Sequence, residues 1–240
     1  MTLLKLQHVS KRYDTPDGPF YAVKDVNLEI RHGEFVAIMG PSGSGKSTMM
    51  HLMGLLDVPT EGEIWVDGTD TSALSEKALA QLRNRKIGFV FQSFNLLPRT
   101  SAVENVALPL WYNRTSDSEA LRRAEAALAR VGLDPKAKGR NHPNQLSGGQ
   151  QQRVAIARAI VTEPSIVLAD EPTGNLDSRA TDDILALFQS LNQEGTTIVL
   201  VTHEEYVGRH ARRIVRFRDG CIVADETVES PLRAKGVVLA

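Results

Sequence analysis

Hydrophobic residues in this chain occur in short uninterrupted runs, separated by segments in which they recur at helical spacing. The runs lie at residues 34–39, 87–90, 166–169 and 197–201. Runs of this length are typical of strands that are buried on both faces of a parallel sheet. The pattern therefore predicts a core sheet of parallel strands.

Helical spacing dominates the segments between and after these runs, at residues 47–55, 152–161 and 178–193. The apolar stripe of the last segment consists of Ile184, Leu187, Phe188 and Leu191. An amphipathic helix of this kind packs its stripe against another layer. Helices that alternate with buried strands predict a layered α/β fold.

Two regions depart from this alternation. In the first, residues 3–30 together with 62–66, Ile64 and Val66 alternate with polar or larger residues, which predicts an antiparallel sheet with one solvent-facing side. The second, residues 92–151, is predicted to be a mostly helical insert. Its stripe consists of Leu121, Ala124, Leu128 and Val131.

No internal repeat, low-complexity tract or flexible linker divides the chain, so we expect one domain over residues 1–240. Its predicted parts are a core with a β-subdomain at about 1–91 and 152–228, a helical subdomain at about 92–151 and a tail at 229–240.

Composition and charge narrow the possible partners and compartments. The 28 Lys and Arg residues balance 29 Asp and Glu residues for a net charge of −1, which disfavours a nucleic-acid partner. Cys221 is the only cysteine, which excludes an internal disulfide, and we expect it to be a small strand residue. The amino terminus lacks a signal-peptide pattern, and the apolar runs fall far short of the ~20 residues that span a bilayer. We expect a cytoplasmic protein whose membrane role depends on a partner.

Residues 40–47, Gly-Pro-Ser-Gly-Ser-Gly-Lys-Ser, match the phosphate-loop pattern between a predicted strand and a predicted helix. Glycines let the backbone wrap around phosphate oxygens, and the helix start offers N–H donors. Lys46 is predicted to contact the β- and γ-phosphates of ATP, with Ser47 on Mg²⁺. An ordinary Gly/Ser turn is the alternative, which this context disfavours. The nucleotide-binding residues predicted here are Gly40, Pro41, Ser42, Gly43, Ser44, Gly45, Lys46, Ser47 and Thr48.

The apolar run that begins at residue 166 ends in two acids, Asp170 and Glu171. Alone, an acidic pair at a strand end is usually a solvated turn, but its combination with a phosphate loop favours a catalytic pair. Adjacent side chains point to opposite sides of an extended strand. We assign Asp170 to Mg²⁺ through water and Glu171 as the general base that activates the attacking water.

A third motif, Leu-Ser-Gly-Gly-Gln at residues 146–150, precedes a helix that carries Arg153 and Arg158. A serine hydroxyl and glycine amides at a helix start form a second anion site. The motif resembles the signature of ABC ATPases, and nearly the whole chain can be laid onto that family. The resemblance implies a P-loop NTPase fold with a RecA-like parallel-sheet core, an N-terminal antiparallel β-subdomain and an α-helical insert.

The resemblance also assigns residues outside these motifs. Tyr13 is similar to the aromatic residue that stacks on adenine, although an edge-strand tyrosine is the alternative. Gln92 resembles the glutamine that senses Mg²⁺ and contacts the transporter, and Asp177 resembles the carboxylate of the loop that crosses the dimer interface. His203 resembles the switch histidine at the γ-phosphate, although a lone histidine after a strand is normally a surface residue. The catalytic residues so predicted are Lys46, Glu171 and His203, the signature residues are Ser147, Gly148, Gly149 and Gln150, and the metal-associated residues are Ser47, Gln92 and Asp170.

The family mechanism implied is a head-to-tail homodimer that closes over two ATP molecules, each held between one chain's phosphate loop and the other chain's signature. Within the family, residues 95–99, 104–106 and 171–177 resemble the MacB/LolD-type branch of macrolide exporters and lipoprotein-releasing systems. The implied partners are separate permease subunits with few membrane spans, and a periplasmic adaptor is a further candidate. Residues 204–209 differ from the versions commoner in that branch. The chain is expected to carry no permease and to lie at the inner face of the membrane.

The alternatives are a non-transport ABC ATPase, a small-molecule kinase and an ATPase that drives a membrane regulator. DNA-repair ABC ATPases need a long coiled coil, whereas about one hundred residues separate Ser47 from Ser147, and ribosome-acting types usually carry two cassettes and basic extensions. A small-molecule kinase has no need of the signature. An FtsE-like ATPase that drives a membrane regulator of cell-wall enzymes shares the same ATP chemistry and remains open.

Overall fold

The computed structural model describes residues 1–16 and 18–235. In chain order the strands are β1 (Thr2–Thr15), β2 (Gly18–Arg31), β3 (Phe35–Met39), β4 (Glu61–Val66), β5 (Thr69–Asp70), β6 (Ile87–Phe91), β7 (Ile166–Asp170), β8 (Thr197–Thr202), β9 (Arg213–Arg218) and β10 (Cys221–Thr227). The helices are α1 (Lys46–Met53), α2 (Glu76–Lys86), α3 (Ala102–Tyr112), α4 (Asp117–Arg130), α5 (Pro135–Lys138), α6 (Gly148–Ile160), α7 (Ser178–Gln193) and α8 (Glu205–Gly208).

The strands form two sheets. The larger has the order β10-β9-β3-β8-β7-β6, in which β9, β3, β8, β7 and β6 pair in parallel and β10 is an antiparallel edge. The smaller sheet, β2-β1-β4-β5, is antiparallel throughout. The predicted parallel core and the predicted antiparallel sheet are therefore both confirmed.

Strand β3 shows why its sequence is continuously apolar. Phe35, Ala37 and Met39 belong to one hydrophobic cluster, which also contains residues of α3, α4, α6 and α7. Val36 and Ile38 belong to the other cluster, which contains residues of α1 and of the antiparallel sheet. Successive side chains of a strand point to opposite faces, so a strand covered on both faces buries every residue.

The helices agree with the sequence pattern to different degrees. The helix predicted over 178–193 has those limits in α7, and the segment 92–151 contains α3, α4 and α5 as predicted. The prediction that a helix begins at residue 152 is wrong, because α6 begins at Gly148. Cys221 begins β10, as expected for a strand residue. Residues 236–240 of the predicted tail lie outside the described part of the chain.

Within the described residues, every helix is too short or too polar to cross a membrane.

Candidate active site

The four segments predicted to bind and hydrolyse ATP leave the same edge of the large sheet. Met39 is opposite Thr202, Val201 is opposite Asp170, and Asp170 is opposite Phe91 across neighbouring parallel strands. Carboxyl ends of parallel strands share one edge, where open α/β sheets bind their ligands. The phosphate loop, Glu171, His203 and Gln92 follow these strand ends directly and are thereby brought together.

The phosphate loop ends at Gly45, which precedes α1. Gly45 has φ +100°, and a Cβ atom at this position would lie 2.0 Å from the carbonyl oxygen of Ala22, so only glycine fits. No side chain caps the amino terminus of α1. The hydroxyl of Ser44 is buried without a hydrogen-bond partner among the described residues. An uncapped helix start beside an unused hydroxyl suits a phosphate anion.

Lys46 folds back into the loop. Its Nζ donates to the carbonyl oxygens of Gly40, at 2.7 Å, and Pro41, at 2.8 Å, and the residue is only 7% exposed. Burial lowers the pKa of Lys46, while the neighbouring carboxylates of Glu171 and Asp170 oppose this shift. A cation held among carbonyl dipoles gains a stronger partner when phosphate oxygens replace them.

Asp170 lies at the end of β7, where the hydroxyl of Ser47 is near its carboxylate. Its Oδ1 is buried without a hydrogen-bond partner among the described residues. Burial, followed by repulsion from Glu171, raises the pKa of Asp170, while His51, Ser47 and Lys46 oppose the shift. A buried carboxylate oxygen next to a hydroxyl fits the hard-oxygen preference of Mg²⁺. The described residues contain no group of three or more His, Cys, Asp or Glu side chains placed to hold a metal ion by themselves. An ion at Ser47 and Asp170 would therefore complete its shell from ATP oxygens and water, as Mg²⁺ usually does.

The predicted geometry of the acidic pair is wrong in one respect. Glu171 does not continue the extended strand but has φ +45°, and its N–H donates to the carbonyl oxygen of Val201 at 2.8 Å. This turn carries the side chain towards the end of β8. Glu171 Oε1 lies 2.7 Å from Nδ1 of His203, and the hydroxyl of Thr202 donates to Oε2 at 3.4 Å. An ionised carboxylate can only accept, so Nδ1 carries the hydrogen of this bond. Glu171 and His203, two of the three predicted catalytic residues, are thus in direct contact.

Gln92 follows β6 and touches the loop after Glu171. Its carbonyl oxygen accepts from Nδ2 of Asn175 at 2.9 Å. Arg158 of α6 donates to the carbonyl oxygens of Asn95, at 2.6 Å, and Phe94, at 2.8 Å, in the same loop. Sequence reasoning placed Arg158 on its helix but not at this contact, because the two positions are far apart along the chain.

Tyr13 projects from β1 beside α1, where its hydroxyl interacts with Thr48. It also donates to Oδ2 of Asp57 at 3.1 Å, while Nζ of Lys11 lies 5.3 Å from the ring centroid and 2.7 Å from Oδ1 of Asp57. Burial and then the bond to Asp57 raise the pKa of Tyr13. The ring is 41% exposed and stands next to the phosphate loop, as a base-stacking platform requires. Lys11 and Asp57 had no motif signal in the sequence.

The signature residues form the first turn of α6. The Oγ of Ser147 accepts from the N–H of Gln150 at 3.3 Å, and the N–H of Ser147 donates to Oε1 of Gln150 at 3.0 Å, which is a capping box. Gly148 and Gly149 face Leu176 and Ala180. Asp177 caps the neighbouring helix α7 by accepting from the N–H of Ala180 at 2.8 Å. The signature turn therefore packs beside Asp177, whereas the phosphate loop packs beside Ala22 and Phe217.

Comparisons with known proteins agree with this geometry. The family model described as ABC transporter matches residues 23–174. The chain is 52% identical over 221 residues to YknY of Bacillus subtilis, an uncharacterized ABC transporter ATP-binding protein, covering 92% of this chain and 95% of that protein. It is 47% identical over 228 residues to the macrolide export ATP-binding/permease protein MacB of Bdellovibrio bacteriovorus, covering 95% of this chain. The chain spans about a third of the length of that relative, 34%.

The solved structures include a dimer of the ATP-binding cassette MJ0796, in a post-hydrolysis state bound to ADP and Pi. It matches with a TM-score of 0.87 and 47% sequence identity, covering 95% of this chain and 100% of that chain. The corresponding protein of Methanocaldococcus jannaschii is 50% identical over 229 residues.

A phosphate loop facing an acid-terminated strand across a parallel sheet defines the chain as a P-loop ATPase. It belongs to the ABC transporter family, as the ATP-binding and ATP-hydrolysing cassette. The predicted ABC ATPase fold is confirmed, and the relatives confirm the predicted MacB/LolD-type branch.

Proposed function

We propose that this cassette closes head to tail with a second copy over two Mg-ATP molecules and thereby drives a separate membrane permease of the MacB or LolC/E type, in export or lipoprotein release. The observation that carries the proposal is the division of the site between two regions of the chain. The phosphate loop, Asp170, Glu171 and His203 lie at one sheet edge, whereas the signature turn packs against Leu176 and Ala180. A signature supplied by a second copy would complete each site.

The first half of the site binds and orients the triphosphate. Lys46 exchanges its carbonyl partners for the β- and γ-phosphate oxygens, and the start of α1 donates N–H groups to the same anion. Ser47 and Asp170, with Gln92, would hold Mg²⁺, which supplies charge neutralisation on the phosphates. Tyr13, fixed by Asp57 and Lys11, stacks on the adenine.

Glu171 and His203 act on the attacking water. Glu171 accepts a proton from the water as it attacks the γ-phosphate, and general-base assistance of this kind contributes about 10²- to 10⁴-fold to a rate. His203 orients the carboxylate through the 2.7 Å contact of its Nδ1. In the closed dimer, Ser147 and the amides of the first turn of α6 would bind the γ-phosphate from the opposite side.

A groove lies beside the loop that follows β6 and contains Gln92, Phe94 and Asn95, here called the Gln92 loop. This groove supports coupling to a permease. It has a volume of 650 Å³, and it is lined by residues of α2, β6, α3 and α6. Its apolar lining includes Leu56, Phe89 and Tyr112, and Tyr112 is 83% exposed. The charged lining residues Lys77, Arg83 and Arg158 are all basic. These features fit a short apolar segment with acidic flanks, supplied from the cytoplasmic side of the permease.

Arg158 connects this groove to the catalytic half-sites. It lines the groove, donates to the Gln92 loop and lies on the helix that begins with the signature. A segment pressed into the groove would therefore act on Gln92 and on the signature together. This arrangement supports a membrane partner that senses ATP and responds to dimer closure. We infer that such a partner holds the cassette at the inner face of the membrane, and a periplasmic adaptor is a further candidate partner.

The proposal is tested by affinity purification of the tagged chain from its native membranes, with mass spectrometry of the bound proteins. Tyr112→Glu places a charge in the groove, and Ala129→Glu is its control, because Ala129 is exposed on α4 and does not line the groove. Wild type and Ala129→Glu should recover a few-span permease with a large outer domain. Tyr112→Glu should recover about tenfold less, the effect of losing one anchor residue.

Three outcomes would contradict the proposal. Equal recovery of the permease with Tyr112→Glu would remove the groove as the docking site. Ribosomes or DNA-repair factors without a membrane protein would remove the transport function, and a cell-wall hydrolase bound to the permease would replace it with an FtsE-like regulatory function.

A further inference from the structure

The segment that follows His203 folds as the short helix α8. This helix packs directly against the strand that leads into the phosphate loop. A Cβ atom at Gly208 would lie 2.1 Å from Sδ of Met39, the last residue of β3. A side chain at this position would require the side chain of Met39 to move. Helix α8 is thus held between His203 and the phosphate loop.

Tyr206 joins α8 to α7. Its hydroxyl donates to Oδ1 of Asp182 at 2.5 Å, and its ring meets the imidazole of His210 edge-on at 4.9 Å between centroids. Asp182 lies little more than one turn after Asp177, the residue that caps α7. The Asp182 carboxylate raises the pKa of Tyr206, as expected for a phenol whose proton is shared with an acceptor. Tyr206 is nevertheless 47% exposed, so this bond is not needed to fill the core.

A second contact ties the residues just after α8 to α7, two turns further along α7. Nε2 of Gln189 donates to the carbonyl oxygen of His210 at 3.2 Å. His210 is buried, and its Nδ1 lies 2.9 Å from the carbonyl oxygen of Tyr206. One contact within α8, at Tyr206, and one just after it, at His210, attach the segment 205–210 to α7, so we expect this segment to move with α7.

The path from α8 to the reacting centre is short. Only Glu204 separates α8 from His203, and its N–H donates to the hydroxyl of Thr202 at 3.1 Å. Thr202 and His203 both contact the carboxylate of Glu171. A shift of α8 therefore changes the hydrogen bonds that orient this carboxylate.

We propose that Tyr206 is a positioning residue for hydrolysis. Its bond to Asp182 couples the segment that carries His203 to α7, the helix that Asp177 caps. The orientation of Glu171 then depends on where Asp177 lies, and Asp177 belongs to the loop predicted to face the second copy. The chain thereby links the position of the dimer interface to its own catalytic base. This inference rests on the proposed roles of Glu171 and His203.

The test separates the hydrogen bond from charge and from general stability. Tyr206→Phe removes the hydroxyl, Asp182→Ala removes the acceptor, and Asp182→Asn keeps an acceptor oxygen while removing the charge. The turnover number of the dimerising enzyme is measured together with the dissociation constant of a fluorescent ATP analogue and the melting temperature. Glu171→Gln is measured alongside.

We expect Tyr206→Phe and Asp182→Ala to lower kcat about three- to tenfold, the range found for coupled contacting residues, with the ATP-analogue Kd changed less than about twofold. Asp182→Asn should restore most of the activity, and the double variant Tyr206→Phe/Asp182→Ala should be no slower than either single variant. A wild-type kcat in Tyr206→Phe would overturn the proposal. Additive losses, or a lower melting temperature with unchanged kcat, would also overturn it by making the bond purely structural. Normal hydrolysis by Glu171→Gln would instead remove the general base itself, whatever Tyr206 does.

Discussion

Asp170 is in an electrostatically unfavourable position, because burial and the neighbouring Glu171 both disfavour its negative charge. Its carboxylate is partly buried beside Glu171, and one of its oxygens has no hydrogen-bond partner among the described residues. Such an arrangement costs folding free energy until a cation neutralises it. Binding of Mg²⁺ with ATP would remove this cost, and the free energy so released would strengthen the binding.

Replacing Asp170 with asparagine should raise the melting temperature of the nucleotide-free protein at neutral pH while abolishing ATPase activity. The folded-state pKa of Asp170 is raised, so proton binding favours the folded state and the ionised carboxylate destabilises it. The advantage of Asp170→Asn should be full above the folded-state pKa. It should shrink as the pH falls through that value and vanish below the unfolded-state pKa of about 3.9. Thermal melts of the wild type and of Asp170→Asn across this pH range measure the difference. A lower melting temperature for Asp170→Asn than for the wild type at neutral pH would contradict the prediction.

At this scale the sequence predicted which side chains lie together better than it predicted their conformations. Lys46, Ser47 and Asp170 lie together as their motifs implied. The conformation of Glu171 could not be predicted, because its bond to Val201 joins residues of different strands. The same holds for Asp57 and Lys11 at Tyr13, which meet only when β1 packs near the end of α1.

At the scale of elements, α6 shows how a local cap overrides propensity. Two adjacent glycines disfavour a helix interior by about 1 kcal/mol each relative to alanine, which is why the sequence pattern placed the helix start after them. The capping box of Ser147 and Gln150 instead begins the helix at Gly148. Helix α2 gave no periodic signal because none of its residues is buried.

The capping serine of α6 is predicted to have two roles, which a matched control separates. Ser147→Ala and Ser101→Ala each remove a capping-box serine, the latter from α3, and each should cost about 0.5–2 kcal/mol of unfolding free energy. Only Ser147→Ala should also lower ATPase activity, because only Ser147 is proposed to contact the γ-phosphate. Denaturant unfolding and steady-state hydrolysis measure the two effects. Equal ATPase losses in both variants would reduce Ser147 to a structural cap.

At the scale of the whole molecule, the sheet and the helical insert present two incomplete halves of one site. The phosphate loop with its acids lies at the carboxyl edge of the parallel strands, and the signature lies at the start of α6 beside Asp177. The sequence could predict both halves, because each is a contiguous motif. It could not show the connections between them through Arg158, Gln92 and Tyr206, because these contacts join distant parts of the chain.

The central claim is that ATP closes two copies head to tail, and the molar mass of Glu171→Gln with and without Mg-ATP tests it most directly. Light scattering should give 26.3 kDa without nucleotide. With Mg-ATP, which this variant binds but hydrolyses about 10²-fold or more slowly, the mass should double. Adding Ser147→Arg to the same variant should keep it monomeric with ATP bound, because the signature can no longer receive the γ-phosphate. A Glu171→Gln protein that binds ATP and remains at the monomer mass at all protein concentrations would contradict the account.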